Sequence, residues 1–340
     1  MLSLLTTPAM NERGPRWMEK VLAAVHQGNH RSEPVTLHVA AIEQRVGLFV
    51  EFPAALEELV CGPITASYPN CSLTTVAQFD PVPAGWSTWT AAIVLSPELF
   101  PILRHAQFED LNRTFADPID GILRSVRPTE NLQCRFELRI VPSSSRRVRT
   151  AEAALRLLDR EFFHRHYTLA EHYARTRTRP WGRVVAGPLG LIARQTAAPS
   201  RTAIDTSTSR LHEREEHLQA AADKIGGHLF ETELRLIVHA PPEAEDVAQQ
   251  ALRQMFGALG AFTKSHLATF RLRPVRSRDS HRRSRRNSFL ASHEELATLF
   301  HPPTANVAAE GIRRQEFREL EPPAVFPSGT EPDAITLGRV

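Results

Sequence analysis

Seven arginines fall between residues 273 and 286: Arg273, Arg276, Arg278, Arg282, Arg283, Arg285 and Arg286, opposed only by Asp279. A guanidinium fork matches two oxygens of one phosphate, and an extended run of such forks neutralises a nucleic-acid backbone without reading its bases. Arg276, Arg278, Arg282, Arg283, Arg285 and Arg286 are therefore the candidate nucleic-acid contacts. No aromatic residue interrupts the run, so it lacks the stacking platforms of single-strand binders. The competing reading is a solvated connector, since the run has no apolar periodicity, and composition by itself favours that reading.

Other chemistries lack the residues they need. A phosphate-cradling loop requires clustered glycines followed by Lys and Ser or Thr; the stretch AGPLGLIARQ, with Gly187 and Gly190, has no lysine and reads as a turn. No run of that kind occurs up to Val340, so no ATP hydrolysis and no cofactor are expected within this chain. His26 and His30 flank Gly28 without a companion carboxylate, and His164, His166 and His172 crowd a helix end, so neither group predicts a metal site. Glu213, Glu215 and Glu216 lie on a strongly charged helix and read as its solvated face, and the chain has no Gly-x-Ser-x-Gly elbow. His301 closes a helix just before a proline, where a histidine suits the helix dipole. Cys61, Cys71 and Cys134 are odd in number and widely spaced; they read as small apolar side chains in a reducing compartment. The chain is read as a non-enzyme.

The element with the clearest local logic is Ser288 to Pro303. Ser292 and Glu295 stand at capping-box spacing, Leu296, Leu299 and Phe300 form one apolar face, and Pro302 with Pro303 stops the helix. A helix this short does not stand alone in water, so it must dock through those side chains.

The same stretch carries a family resemblance. LASHEELATLFHPP, followed by PPAVFPSG and ITLGRV, resembles the region just ahead of the motor in conjugative type IV secretion coupling ATPases and HerA-like DNA-translocating ATPases. It is specific at the C-terminal end and a similarity of pattern over most of residues 35 to 340. The resemblance implies a non-catalytic assembly region. Its partners would be other type IV secretion subunits or further copies of itself, with a non-specific DNA contact as an option. The family's hydrolytic residues have no counterpart here.

The 340 residues suffice for two ordinary domains; 42% are hydrophobic and 23% charged, and the net charge is only +3. That charge is too small to imply nucleic acid from the total. No apolar run is long enough to span a bilayer, and the N-terminus lacks a basic leader, so a cytoplasmic location is expected, with any membrane association made through partners.

Along the chain, 1–34 reads as a lead helix after a short apolar piece. Residues 35–41 and 46–52 read as a hairpin, and 53–67 as a helix. Strands are expected at 71–79, 88–95 and 133–141, and helices at 111–126 and 150–166. Residues 196–210 read as a linker, and 211–303 as a second unit carrying the basic loop 273–288. A Pro-rich tail fills 304–340. An echo supports two related units (35–195 and 211–303): ELRIVPSSSRRVRTAEAALRLLDREF from Glu137 and ELRLIVHAPPEAEDVAQQALRQMFGAL from Glu233 are each a strand, a proline turn and a helix. The expected fold is α+β, antiparallel strands with helices packed on one face. Two rival functions remain beside assembly: a stand-alone nucleic-acid-binding module using the arginine loop, and an enzyme whose site is assembled from distant residues.

Overall fold

Strict alternation along Gln133–Pro142 explains the architecture. Cys134, Phe136, Leu138 and Ile140 are buried, while Gln133, Arg135, Glu137, Arg139 and Val141 are only half-buried. A strand patterned this way has one dry face and one polar face. The computed structural model describes residues 1–108, 116–158, 170, 172, 174–175, 208–263, 268–274, 287–307, 309 and 311–315, and, within 208–215, the backbone alone.

These residues form an α+β fold. Its strands are β1 (Leu2–Pro8), β2 (Val35–Ile42), β3 (Arg45–Glu51), β4 (Ser72–Val76), β5 (Ser87–Ser96), β6 (Gln133–Pro142), β7 (Leu229–Ala240), β8 (Thr269–Pro274), β9 (Ser288–Ser292) and β10 (Arg314–Gln315). Its helices are α1 (Pro15–Gly28), α2 (Glu57–Ser67), α3 (Asp120–Ser125), α4 (Ser145–Leu158), α5 (Thr208–Gly226), α6 (Glu245–Ala258) and α7 (His293–Leu299). The strands make one sheet in the order β10-β1-β3-β2-β6-β7-β5-β8, with β4 paired to β1 and β9 to β7. Pairing is antiparallel throughout, apart from the short parallel contact of β10 with β1.

The two Glu-Leu-Arg strands are neighbours. β6 and β7 run antiparallel over ten residue pairs, from Gln133 opposite His239 to Pro142 opposite Phe230. β5 lies between β7 and β8, so strands from before and after residue 211 share the sheet. The buried residues of all seven helices enter one cluster with the dry face of the strands: Met18, Leu22, Val60, Ile122, Leu157, Ala221, Met255 and Leu299 meet Leu37, Leu48, Ile93, Phe136 and Leu234. Alanines at Ala248 and Ala251 let α6 lie close on β7. A second, small cluster of Leu4, Ala40 and Phe49 lies on the other face, with Phe79 against it.

Local differences from the sequence reading have local causes. The apolar N-terminal piece is a strand, held between β3 and β4. α4 begins at Ser145, ahead of the expected Thr150, because the Ser144 hydroxyl accepts from the Arg147 amide and no apolar period marks the arginine-rich first turn. Residues 288–292 form a strand that runs straight into α7. The linker up to residue 207, the end of the expected helix beyond Leu158, and the tail beyond Gln315 lie outside the described residues.

Candidate functional site

Buried polar contacts converge on the described residues of the segment 288–315. β9 pairs with β7, Leu229 opposite Ser292, and Ser292 then changes role from strand end to helix cap. Its hydroxyl accepts from the Glu295 amide at 3.3 Å, and the Glu295 carboxylate accepts from the Ser292 amide at 2.7 Å. The same carboxylate accepts from the Ile102 amide at 2.9 Å and pairs with Lys224 Nζ at 3.1 Å, the two side chains each 1% exposed. Lys224 also donates to the Phe100 carbonyl at 3.1 Å. Glu295 therefore ties α7, the end of α5 and the loop at Phe100–Ile102 together. An ion pair withdrawn this far from water holds only when its remaining hydrogen-bonding capacity is met, and here it is. Leu296, Leu299 and Phe300 are all at most 1% exposed.

Beyond α7 a second hub takes over. His301, fully buried, donates from Nδ1 to the Ala297 carbonyl at 2.8 Å and from Nε2 to Asp117 Oδ1 at 2.7 Å. Both ring nitrogens face oxygen atoms, the Ala297 carbonyl and the Asp117 carboxylate. Asp117 Oδ2 accepts from the Thr304 amide at 2.9 Å and the Thr304 hydroxyl at 2.7 Å. Burial alone would raise the Asp117 carboxyl; the His301 charge and these hydrogen bonds override it and hold it at about 2. The Asn11 amide nitrogen donates to the carbonyls of Pro302 and Pro303. Residues 311–315 then wedge between β1 and β3 where these strands part. The Val46 amide donates to the Gly311 carbonyl, the Arg313 amide to the Val46 carbonyl, and Arg314 pairs with Thr7. The Arg314 guanidinium donates to the carbonyls of Pro8, Thr304 and Val307.

His301, Asp117 and Thr304 are the residue types of a hydrolytic triad in the wrong order. The carboxylate sits in the middle, so the threonine hydroxyl donates to Asp117 and has no histidine to deprotonate it. Burial pushes the thiols of Cys71 and Cys134 up to about 12, which keeps both protonated near neutral pH. Cys61 on α2 is raised too, by burial and then by Glu57 and Glu58. Among the described residues no group of His, Cys, Asp or Glu is placed to hold a metal ion, and no helix is long and apolar enough to cross a membrane. Beside the clamp lies an open cleft of about 400 Å³ lined by Asn11, Arg16, Trp17, His105, Thr304 and Asn306. Arg13 and Lys20 stand over the Trp17 ring at 4.2 and 4.0 Å.

The polar face of the sheet carries a charged grid. Arg139 and Arg235 reach Glu233 at 3.8 and 3.5 Å, and His38 meets Glu51 at 3.1 Å. Burial, with Arg135 nearby, lowers His239 to about 4. At the end of the sheet, β8 exposes Arg271 and Arg273. The arginines that follow, Arg276, Arg278, Arg282, Arg283, Arg285 and Arg286, lie outside the described residues, as do His164, His166, Gly187, Gly190 and the side chains of Glu213 and Glu215.

The structure thus brings Ser292, Glu295, Leu296, Leu299, Phe300 and His301 into one clamp. Its other members, Asn11, Asp117, Lys224 and Arg314, carried no local signal. Asp117 reads as a turn residue before Pro118, and its partner lies 184 positions away. Neither a family model nor a curated protein matches this chain.

Proposed function

We propose that the chain is the non-catalytic assembly region that stands ahead of the motor in a conjugative type IV secretion ATPase of the coupling or HerA-like type, and that it works through contacts with other secretion subunits or with further copies of itself. The observation that carries this reading is the clamping of residues 301–315. A segment that joined a packed domain to a translocating motor would have to transmit force without peeling away. Here that segment is fixed by a buried histidine–carboxylate pair, three Arg314 bonds to backbone carbonyls and a strand wedge. The resemblance of LASHEELATLFHPP supplies the family. On this reading the chain belongs at the cytoplasmic side of the membrane, brought there by its partners.

The test is assembly. Light scattering of the purified chain, with and without the secretion subunits of the same system, should give self-association or a stoichiometric complex. A chain that stays monomeric at all concentrations and binds none of them is not an assembly region. Hydrolysis of ATP by the pure chain would overturn the non-catalytic part.

A second reading rests on β8. Arg271 and Arg273 are exposed on the strand that leads into the arginine run, so the run starts from a basic edge. A nucleic-acid contact there would be insensitive to sequence and steeply dependent on salt, about 0.9 of log–log slope per duplex phosphate neutralised. Replacing Arg282, Arg283, Arg285 and Arg286 with Ser should lower the slope in a filter-binding titration; superimposable slopes would remove this reading.

A further inference from the structure

Three histidines from separate parts of the chain meet where α1 packs on α7. His26 comes from the last turn of α1, His228 from the turn between α5 and β7, and His293 from the first position of α7. Ring centroids are 4.9 Å apart for His26 and His228, and 5.2 Å apart for His228 and His293. We propose that this cluster is a proton-operated latch: neutral, it closes the α1–α7 contact, and protonated, it opens that contact and loosens the start of the clamped segment.

Each ring is held in a way that suits its neutral form. His26 meets the Leu229 carbonyl through Nε2 at 3.1 Å and sets its ring edge-on to Phe230, leaving its second nitrogen without need of a proton. The Gln27 amide nitrogen faces His228 Nε2 at 3.5 Å, a contact the neutral ring accepts and the protonated ring loses. His293 Nδ1 is buried with no hydrogen-bond partner, so a proton there would bury an unsatisfied donor.

The surrounding charges offset a positive cluster only in part. Glu19 on α1 and Glu294 on α7 face His293 and favour its charged form. Both are already engaged, Glu19 with His105 at 2.6 Å and Glu294 with Arg104 at 2.8 Å. On α5, Lys224 is paired to Glu295. Burial lowers His26, with His228 and His293 adding to the effect, and burial lowers His293. A base held lower in the folded state than its ordinary 6.5 contributes stability that is present at neutral pH and lost as pH falls through 6.5 toward its folded value. The latch therefore opens as pH falls below about 6.5.

His239 is lowered as well, so acid weakens the whole fold, and the test must be local. Amide hydrogen exchange, corrected for intrinsic rates, is compared at pH 7.5 and 5.5 in the full chain. Residues 19–28 and 293–300 should lose protection by up to about tenfold for each lowered histidine that the fold keeps neutral at pH 5.5, and β6 should lose less. His228→Gln, and independently His26→Gln, should each reduce this excess loss, while His239→Gln should leave it. Imidazole NMR of the unmutated chain gives a check that needs no variant: His26 and His293 should titrate below the ordinary histidine range. Equal loss across all elements, or an excess unchanged in whichever cluster variant folds, would overturn the proposal. So would His26 and His293 titrating at the ordinary value.

Discussion

Asp117 gathers three bonds of the clamp, because one carboxylate accepts the ring of His301 on one oxygen and both donors of Thr304 on the other. Its folded value of about 2 lies below the ordinary 3.8. The stability it contributes is complete above about pH 4 and is lost as pH falls through the interval down to 2. Asp117→Asn leaves a buried imidazole without its charge partner and should cost about 3–5 kcal/mol in urea unfolding at pH 7. The variant should also lack the part of the acid loss that Asp117 contributes between pH 4 and 2; a profile parallel to the unmutated protein's would refute the assignment. Lys224 and Glu295 form a second buried pair. Lys224→Met or Glu295→Gln alone strands a buried polar group, whereas the double variant strands neither charge. The double variant should be less destabilised than the sum of the singles by about 1–3 kcal/mol, as measured in a double-mutant cycle.

Elements show how local rules bend to distant partners. The β2–β3 hairpin turns through Glu43 and Gln44, both at positive φ (49° and 59°), where Asn and Gly are the usual residues. The Asp80 carboxylate accepts from both turn amides, at 2.9 and 3.3 Å, and stabilises a turn the local sequence disfavours. Replacing Glu43-Gln44 with Asn-Gly should raise stability by about 0.5–1 kcal/mol, and it should make Asp80→Ala nearly neutral. Thermal unfolding of the four combinations decides this. Gly28 leaves room for Leu59: a Cβ there would sit 2.4 Å from Leu59 Cδ1, so a larger residue would push that side chain aside where α1 ends against α2. α7 is short, and its stability comes from docking. Leu299→Ala and Phe300→Ala, at 1% and 0% exposure, should each cost about 2–5 kcal/mol. Unchanged unfolding in both would show that the contact is dispensable.

At the scale of the whole molecule, the sheet gathers pieces from both ends of the chain: β1 starts at Leu2 and its parallel partner β10 ends at Gln315. Arg314 ties this junction to three carbonyls. Arg314→Ala should raise proteolytic sensitivity around residues 304–315 by about tenfold, the equivalent of about 1.4 kcal/mol in local opening, with little change in the unfolding of β6 and β7. Uniform sensitivity across the chain would mean that the anchor has no local role.

Much of this was legible in the chain itself. Periodicity marks β2, β3, β6, β7, α1 and α6, because alternating and 3.6-residue patterns report directly which side of an element is dry. The capping box at Ser292 and Glu295 and the proline stop after Phe300 are local hydrogen-bond and steric facts, and α7 starts and stops accordingly. Tertiary structure alone decided the rest. The chain contains no sign that Glu295 would meet Lys224 or that His301 would meet Asp117, 71 and 184 positions away. Nor does it show that β6 and β7 would lie side by side, or that three scattered histidines would converge. Local propensity acts over a turn or a strand, whereas these pairings depend on which buried surfaces come together once the sheet has formed. A lone buried Asp, Lys or His looks in sequence like any exposed one, and only its distant partner makes it part of a site.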